Sequence, residues 1–310
     1  MLHRVNAIAL NTYREAVRAR VLHGLFALAF ATAGYSLIVG AFTAHSKLRV
    51  VSDLGAASIS LYGVVVAIVL GATSLYRELE LKTLFPILAR PLRRTEYLAG
   101  KYLGTLLTLA VFIAANCGAL LLAVAQIAGG SRAAPLGAGL GSIALLLLVA
   151  WRVPRARTWA PIPWALLLFV AGWVLASGAP DDRRVLTGSA LLTLCEVSVV
   201  TAFATAFAAF SSPFLTAVFT FGLFVVGRSA DTLAHLPARV FGSTIHQIGS
   251  ALATVVPNLM LYVPPRLLLT GEAADAPLGE YVVWAAAHAV AWSAGLLSLA
   301  SVIWKRRDFL

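Results

Sequence analysis

One carboxylate, Glu196, stands alone within a long apolar run from Val185 to Phe210. A charged side chain at the centre of a bilayer costs on the order of 2.5–3.5 kcal/mol on insertion scales, so such a group must meet a partner helix or a cavity, or carry a proton. Two chemistries fit it: proton or cation coupling, and a structural hydrogen bond between helices. The other reactive residue types are dispersed. His235, His246 and His288 have no metal-ligand spacing. Cys117 and Cys195 sit in separate apolar runs and read as small buried hydrophobes, not as a disulfide or a ligand pair. No Ser, His and Asp grouping or Cys and His pairing marks a nucleophile. Nor is there a GxxxxGK[ST] phosphate loop, because Gly100 and Lys101 are followed by Tyr102 and lack the upstream glycine. The chain reads as neither an enzyme nor an ATP-binding protein, with no bound cofactor or metal.

A second concentration of polar chemistry is the stretch from Tyr76 to Lys101, YRELELKTLFPILARPLRRTEYLAGK. Leu81, Leu84, Phe85 and Leu88 share one helical face, flanked by Glu78, Glu80 and Lys82. Pro86 limits or kinks that helix and Pro91 ends it. Arg90, Arg93 and Arg94 follow as a basic cluster. The pattern fits a bare topogenic loop held at the membrane surface. It fits equally a docking knob for a cytoplasmic partner, with acids at the start and bases after the end.

The elements positioning these groups follow from composition. Of 310 residues 60% are apolar and 12% charged, with mean hydropathy +0.87. An ordinary soluble domain is about 45–50% apolar and about 25% charged, so that class is excluded. A membrane-crossing helix needs roughly 20 predominantly apolar residues. Eight runs are candidates: Val21–Ala44, Leu54–Leu75, Tyr102–Ile127, Leu136–Trp151, Trp159–Ser177, Val185–Phe210, Phe214–Val226 and Tyr281–Trp304. The basic N-terminus resembles a signal peptide, but about twenty residues precede the apolar core and no short polar cleavage region follows, so retention is expected. Residues 229–280, broken by five prolines, read as an extracytoplasmic region of re-entrant or surface helices. Residues 1–20 place Val5, Ile8, Ala9, Thr12, Tyr13, Ala16 and Val17 on one face, which predicts an amphipathic helix in the headgroup plane.

Basic residues favour cytoplasmic loops. With the N-terminus inside and all eight runs crossing, sixteen Lys and Arg lie inside and eight outside, and both termini are cytoplasmic. The net charge of +11 then marks the cytoplasmic face, which removes the motive for a nucleic-acid partner. Gly137, Gly139 and Gly141, with Ala114 and Gly118, offer small faces for close helix packing. Trp151, Trp159, Trp164, Trp173 and Trp304 are placed as interfacial anchors.

The Tyr76 to Lys101 stretch resembles the corresponding loop of type 2 ATP-binding-cassette (ABC) transporter permeases, in the exporter-like branch of the gliding-motility and nitrous-oxide-reductase-maturation permeases. Similar blocks run in family order from end to end. They are ALNTYREAVRARVLHGL (Ala9 to Leu25), DLGAASISLYGVVVAI (Asp53 to Ile68), RELELKTLFPILARPLRRTEYLAGKYLG (Arg77 to Gly104), LCEVSVVTAFATAFAAFSSP (Leu194 to Pro213), VVPNLMLY (Val255 to Tyr262) and KRRDF (Lys305 to Phe309). The resemblance implies an all-α polytopic protein with a six-span core, in which residues 136–177 form an inserted helical hairpin. It implies a permease subunit that pairs with a second permease and with two separate ATPase subunits, ATP being used only by those partners.

The same resemblance assigns the loop between spans two and three to a coupling helix. Carried over by position, Glu78, Glu80, Lys82, Thr83, Leu84 and Phe85 would form that helix, and Arg90, Pro91, Arg93 and Arg94 its basic flank. Arg93 departs from the small hydroxyl residue usual there, so the N-cap of the next helix differs. Similar permeases also carry an acid in the LCEVSVV-like block, which favours the structural role for Glu196. The implied setting is a multi-pass protein of the bacterial cytoplasmic membrane, engaged in export and possessing accessory envelope partners. The alternatives are an ion- or proton-coupled secondary transporter using Glu196, and a membrane scaffold of an envelope complex. With no charged lining beyond Glu196, the expected path suits a lipid, a hydrophobic molecule or a mechanical role better than a small multivalent ion.

Overall fold

A computed structural model describes residues 2–43, 46–80, 94–129, 133–272 and 277–305. The described residues form helices joined by short turns, with no strand among them. In chain order the α-helices are α1 (Leu2–Val17), α2 (Arg20–Phe42), α3 (Lys47–Glu80), α4 (Arg94–Ile127), α5 (Ala133–Arg152), α6 (Pro161–Leu175), α7 (Pro180–Ala208), α8 (Pro213–Arg228), α9 (Ala230–Ala234), α10 (Ala238–Phe241), α11 (Ser243–Val255), α12 (Arg266–Thr270) and α13 (Leu278–Lys305). Tight 3-10 turns span Pro154–Thr158, Ala176–Gly178 and Leu259–Tyr262.

Seven of the eight expected spans are long and apolar enough to cross a membrane: α2, α3, α4, α5, α6 with its 3-10 extension, α7 and α13. The chain is an all-α, multi-pass membrane protein. The eighth, α8, has only 16 residues and ends on Arg228. At 1.5 Å per residue it is about 24 Å long, less than the roughly 30 Å of hydrocarbon. By contrast α3 and α4, at 34 residues each, are about 51 Å long and must project beyond the bilayer.

That projection shortens the expected Tyr76 to Lys101 loop, since helix continues to Glu80 and resumes at Arg94. The Tyr-Arg-Glu-Leu-Glu run consists mostly of good helix formers, and extending an existing helix needs no new nucleus. Lys101, almost fully buried, ties these ends together: its ammonium donates to the Ser74 carbonyl at 3.1 Å and lies 3.6 Å from the Glu15 carboxylate.

The centre of the bundle is α7, packed against α3, α4 and α13. Small residues set the close approaches. A Cβ on Gly71 would lie 2.4 Å from that of Ala204, so α3 and α7 nearly touch there. The α4–α6 crossing is made by Gly118, whose Cβ would fall 2.7 Å from the backbone at Leu168 and Phe169, and by Gly172 opposite. Gly118 therefore packs as expected. Gly137 and Gly141 do not: open space faces them, and Gly139 reaches only Leu122.

The amphipathic helix has a protein partner. The apolar face of α1 packs on α4, where Gly100 meets Ile8 and Gly104 meets Ala9 and Thr12. Glycines at i and i+4 flatten one face of α4 and let the α1 backbone settle on it. Lipid therefore need not cover that stripe. Tyr13 is fully buried there, and burial pushes its phenol up to about 12. Of the expected interfacial tryptophans, Trp151 and Trp173 are exposed, whereas Trp164 and Trp304 are core residues. Trp304 packs on Tyr97 at 5.4 Å between ring centroids. Cys117 lies in the main core, and both cysteines are free.

Candidate functional site

Helical spacing brings polar groups to one side of the bundle. On α3, Ser52, Asp53, Ala56, Ala57 and Ser60 recur every three or four residues, as do Asp182, Val185, Ser189, Thr193 and Glu196 on α7. Between these two stripes, the end of α8 and the 262–269 segment lies a cavity of ≈ 450 Å³. Its walls are mainly apolar, with Leu61, Val185, Phe224, Val263 and Leu269, and an arginine stands at each of two levels.

At the deeper level Glu196 is fully buried near the middle of α7, and Arg228 grips it with both arms of the guanidinium. Nε donates to Oε1 at 2.7 Å and Nη2 to Oε2 at 2.9 Å. Nη2 also donates to the Ser60 hydroxyl at 2.6 Å, and that hydroxyl donates to Oε2 at 3.2 Å. Three helices thus share one charge-neutral cluster. A bidentate arginine is suited to this because its planar fork matches a carboxylate and both charges are offset in place. The α7–α8 hairpin makes the pairing possible. Ser211 and Ser212 with Pro213 break the chain, the Ser212 side chain accepts from the Leu215 amide, and α8 runs back along α7 until its last residue reaches Glu196. A cation at a helix C-terminus is favoured by the helix dipole as well.

At the outer level, near the start of α7, Arg266 bonds Asp182 and Asp53 and donates to the Ser52 hydroxyl at 2.9 Å. Ser52 in turn donates to Asp182 at 2.7 Å. Partial burial works against the charged guanidinium, but the bonds to Asp182 and Asp53 outweigh it and raise its pKa above the ordinary arginine value. The turn before Arg266 is fixed separately. Asn258 caps it through the Met260 amide and holds Asp231, Tyr262 bonds His288 at 2.8 Å, and Tyr281 donates to the Leu261 carbonyl.

These contacts correct the sequence expectation in two respects. Arg228 was counted among the eight extracytoplasmic bases, yet it pairs with the intramembrane carboxylate. The expected path carried no charge beyond Glu196, whereas Asp53, Arg228 and Arg266 line the cavity. One signal for Arg228 was present in the sequence, an apolar run of only thirteen residues closed by a lone cation in a chain with one intramembrane acid. Nothing in the sequence pointed to Arg266, because its partners lie 213 and 84 residues away. Each arginine is matched by the protein's own carboxylates, so the cavity has no spare positive charge with which to hold an anion.

Of the expected coupling residues, Glu78 and Glu80 fall in the last turns of α3 and Arg94 is the first residue of α4. Lys82, Thr83, Leu84, Phe85, Arg90, Pro91 and Arg93 lie outside the described residues.

Residues 6–153, just under half of the chain, match the family described as ABC-2 family transporter protein. This match supports an ABC-2 type permease, a membrane transport component of the kind that partners ATPase subunits. The matched region runs from the amphipathic helix through the end of α5. No curated protein matches the chain.

Proposed function

We propose that this chain is the membrane-spanning subunit of an ABC exporter of the bacterial cytoplasmic membrane. Two permease copies, identical or related, would enclose a path at their interface and join two separate ATPase subunits through residues 76–101. The observation that carries this reading is the family match, which spans α1, α2, α3 and the segment between α3 and α4. The cavity between α3, α7 and α8 is the candidate for part of that path, since it is open and lined by both polar and apolar side chains. The projection of α3 and α4 beyond bilayer thickness supports the cytoplasmic contact, because Glu78 and Glu80 then stand outside the hydrocarbon.

ATP closure of the partners would pull on α3 through that segment, and α3 carries both Ser60 and Asp53 of the cavity wall. Co-purification with an ATPase encoded beside the chain, followed by Glu80→Lys, tests the coupling. Charge reversal should reduce ATPase retention or stimulated hydrolysis while leaving the unfolding temperature of the isolated permease unchanged. Full assembly and hydrolysis in that variant would reject the segment as the docking element. The bidentate Arg228 pairing supports a structural role for Glu196 over proton coupling, since both carboxylate oxygens are already engaged by the guanidinium and the Ser60 hydroxyl.

A further inference from the structure

The hairpin of α5 and α6 leaves its outer helix, α5, largely off the rest of the bundle. It packs through α6 on α4, while α5 rests on α6, α4 and the Pro154–Thr158 turn. Between α5 and α2 two apolar pockets open in line, both touching Phe30 and Ile143. The pocket nearer α1, of ≈ 280 Å³, is lined by Leu22, His23, Phe26, Val111, Leu146 and Trp164, among others. The second, of ≈ 370 Å³, continues toward Leu37 and Leu136. Along α2 the first pocket runs from Leu22 to Phe30, about 12 Å at 1.5 Å per residue. This is close to the roughly 15 Å depth of one leaflet's hydrocarbon.

No arginine lines that pocket, but the segments that bound its α1 end carry cations on both sides. Arg18 and Arg20 bracket the α1–α2 turn, Arg152 ends α5, and Arg155 and Arg157 lie in the 3-10 turn. All five are exposed, and among the described residues none forms an ion pair with a carboxylate. The two sides are held together by Trp159, which carries the Arg14 guanidinium 4.6 Å over its ring and packs 6.5 Å from Tyr13. Inside the pocket, the indole N–H of the nearly buried Trp164 has no hydrogen-bond partner among the described residues.

We propose that this pocket binds one anionic phospholipid from the leaflet on the α1 side, an acyl chain lying between α2, α4 and α5 and the phosphate on the arginines beside its mouth. The two halves of the site differ as the two halves of such a lipid differ. Below the mouth the lining is carbon surface apart from His23, Thr108 and the Trp164 indole N–H, and the exposed arginines beside the mouth have no carboxylate partner among the described residues. Here the contrast with the α3–α7–α8 cavity is informative, because there every arginine is occupied by a carboxylate. The bound lipid would fill the gap that keeps the hairpin from closing on α2. This proposal rests on the multi-pass placement alone and is independent of the transport reading.

The test uses the full chain in maltoside detergent, with retained lipids measured by native mass spectrometry and unfolding temperature followed during addition of phosphatidylglycerol or phosphatidylcholine. The wild type should retain phosphatidylglycerol and be stabilised by it in preference to phosphatidylcholine. Ile143→Trp, which fills the space shared by both pockets, should abolish retention. The triple variant Arg152→Gln, Arg155→Gln, Arg157→Gln should lower the preference for phosphatidylglycerol by about fivefold or more, given what each basic residue near an anionic surface contributes. If Ile143→Trp lowers the unfolding temperature of lipid-free protein, the triple variant decides, since its side chains are exposed. Equal response to the two lipids in the wild type, or unchanged preference in the triple variant, would overturn the proposal. So would a disulfide-linked dimer formed by Leu147→Cys with loss of bound lipid, which would give this face to a second copy of the chain.

Discussion

The α3–α7–α8 side and the α5–α6 hairpin are both built from strongly apolar helices, and they use that apolarity in opposite ways. In α7, 72% of the most apolar window is buried inside the bundle, and its buried carboxylates Asp182 and Glu196 are matched to partners from three other elements. In α5, 6% is buried, and the exposed side chains include Leu140, Leu145, Leu147 and Leu148. Hydropathy is similar in the two, 1.8 and 2.0. Apolarity thus places a helix in the membrane without saying whether lipid or protein will surround it. Small residues at a crossing and paired charges mark the protein-facing case.

The sharpest way to break this contrast is to remove one partner of the deep ion pair. Arg228→Met leaves Glu196 buried without compensation and should destabilise by about 3–5 kcal/mol, read as a fall in detergent unfolding temperature. Adding Glu196→Gln to Arg228→Met should recover most of that loss, because the buried charge is gone. If the double variant is no better than the single, the pair is not what holds α8 to α7. Next in size is the α4–α6 crossing: Gly118→Val forces a Cβ into the α6 backbone and should cost about 1–3 kcal/mol by overpacking. Limited proteolysis should then cut the α5–α6 hairpin sooner than in the wild type.

A smaller effect is expected at the outer cluster. Arg266 is about a fifth exposed and Asp53 about half exposed, so water shares the load. Arg266→Gln should cost about 1 kcal/mol, and salt should narrow the difference from the wild type. The smallest is on the lipid-facing side, where Leu145→Ala should change stability by no more than about 0.5 kcal/mol in detergent. A loss as large as that of Gly118→Val would mean that α5 packs against protein and would erase the distinction drawn above.

Much of the architecture was legible in the sequence because membrane insertion reads a local property. Seven spans overlap their expected runs, although α3 and α4 begin well before Leu54 and Tyr102, and the Ser211, Ser212, Pro213 break lies where the α7–α8 turn is found. The polar lining of the cavity was not legible in the same way. Asp53, Asp182 and Arg266 sit near the ends of their helices, where charge next to water needs no explanation, and only the packing of three distant segments turns them into one cluster. The α1 stripe shows the same limit, since an amphipathic face predicts burial but not whether headgroups or Gly100 and Gly104 provide it.

The sequence by itself determined that this is a multi-pass helical membrane protein, where most of its spans lie, and that Glu196 had to meet a partner helix or a cavity, or carry a proton. Those are consequences of transfer energies summed along a continuous stretch. The tertiary structure alone decided that the partner is Arg228, that the second arginine closes the cavity's other end, and that the hairpin leaves a groove beside α2. Each of these depends on which helix faces approach within a few ångströms, and that follows from side-chain volumes and hydrogen-bond geometry between residues far apart in the chain.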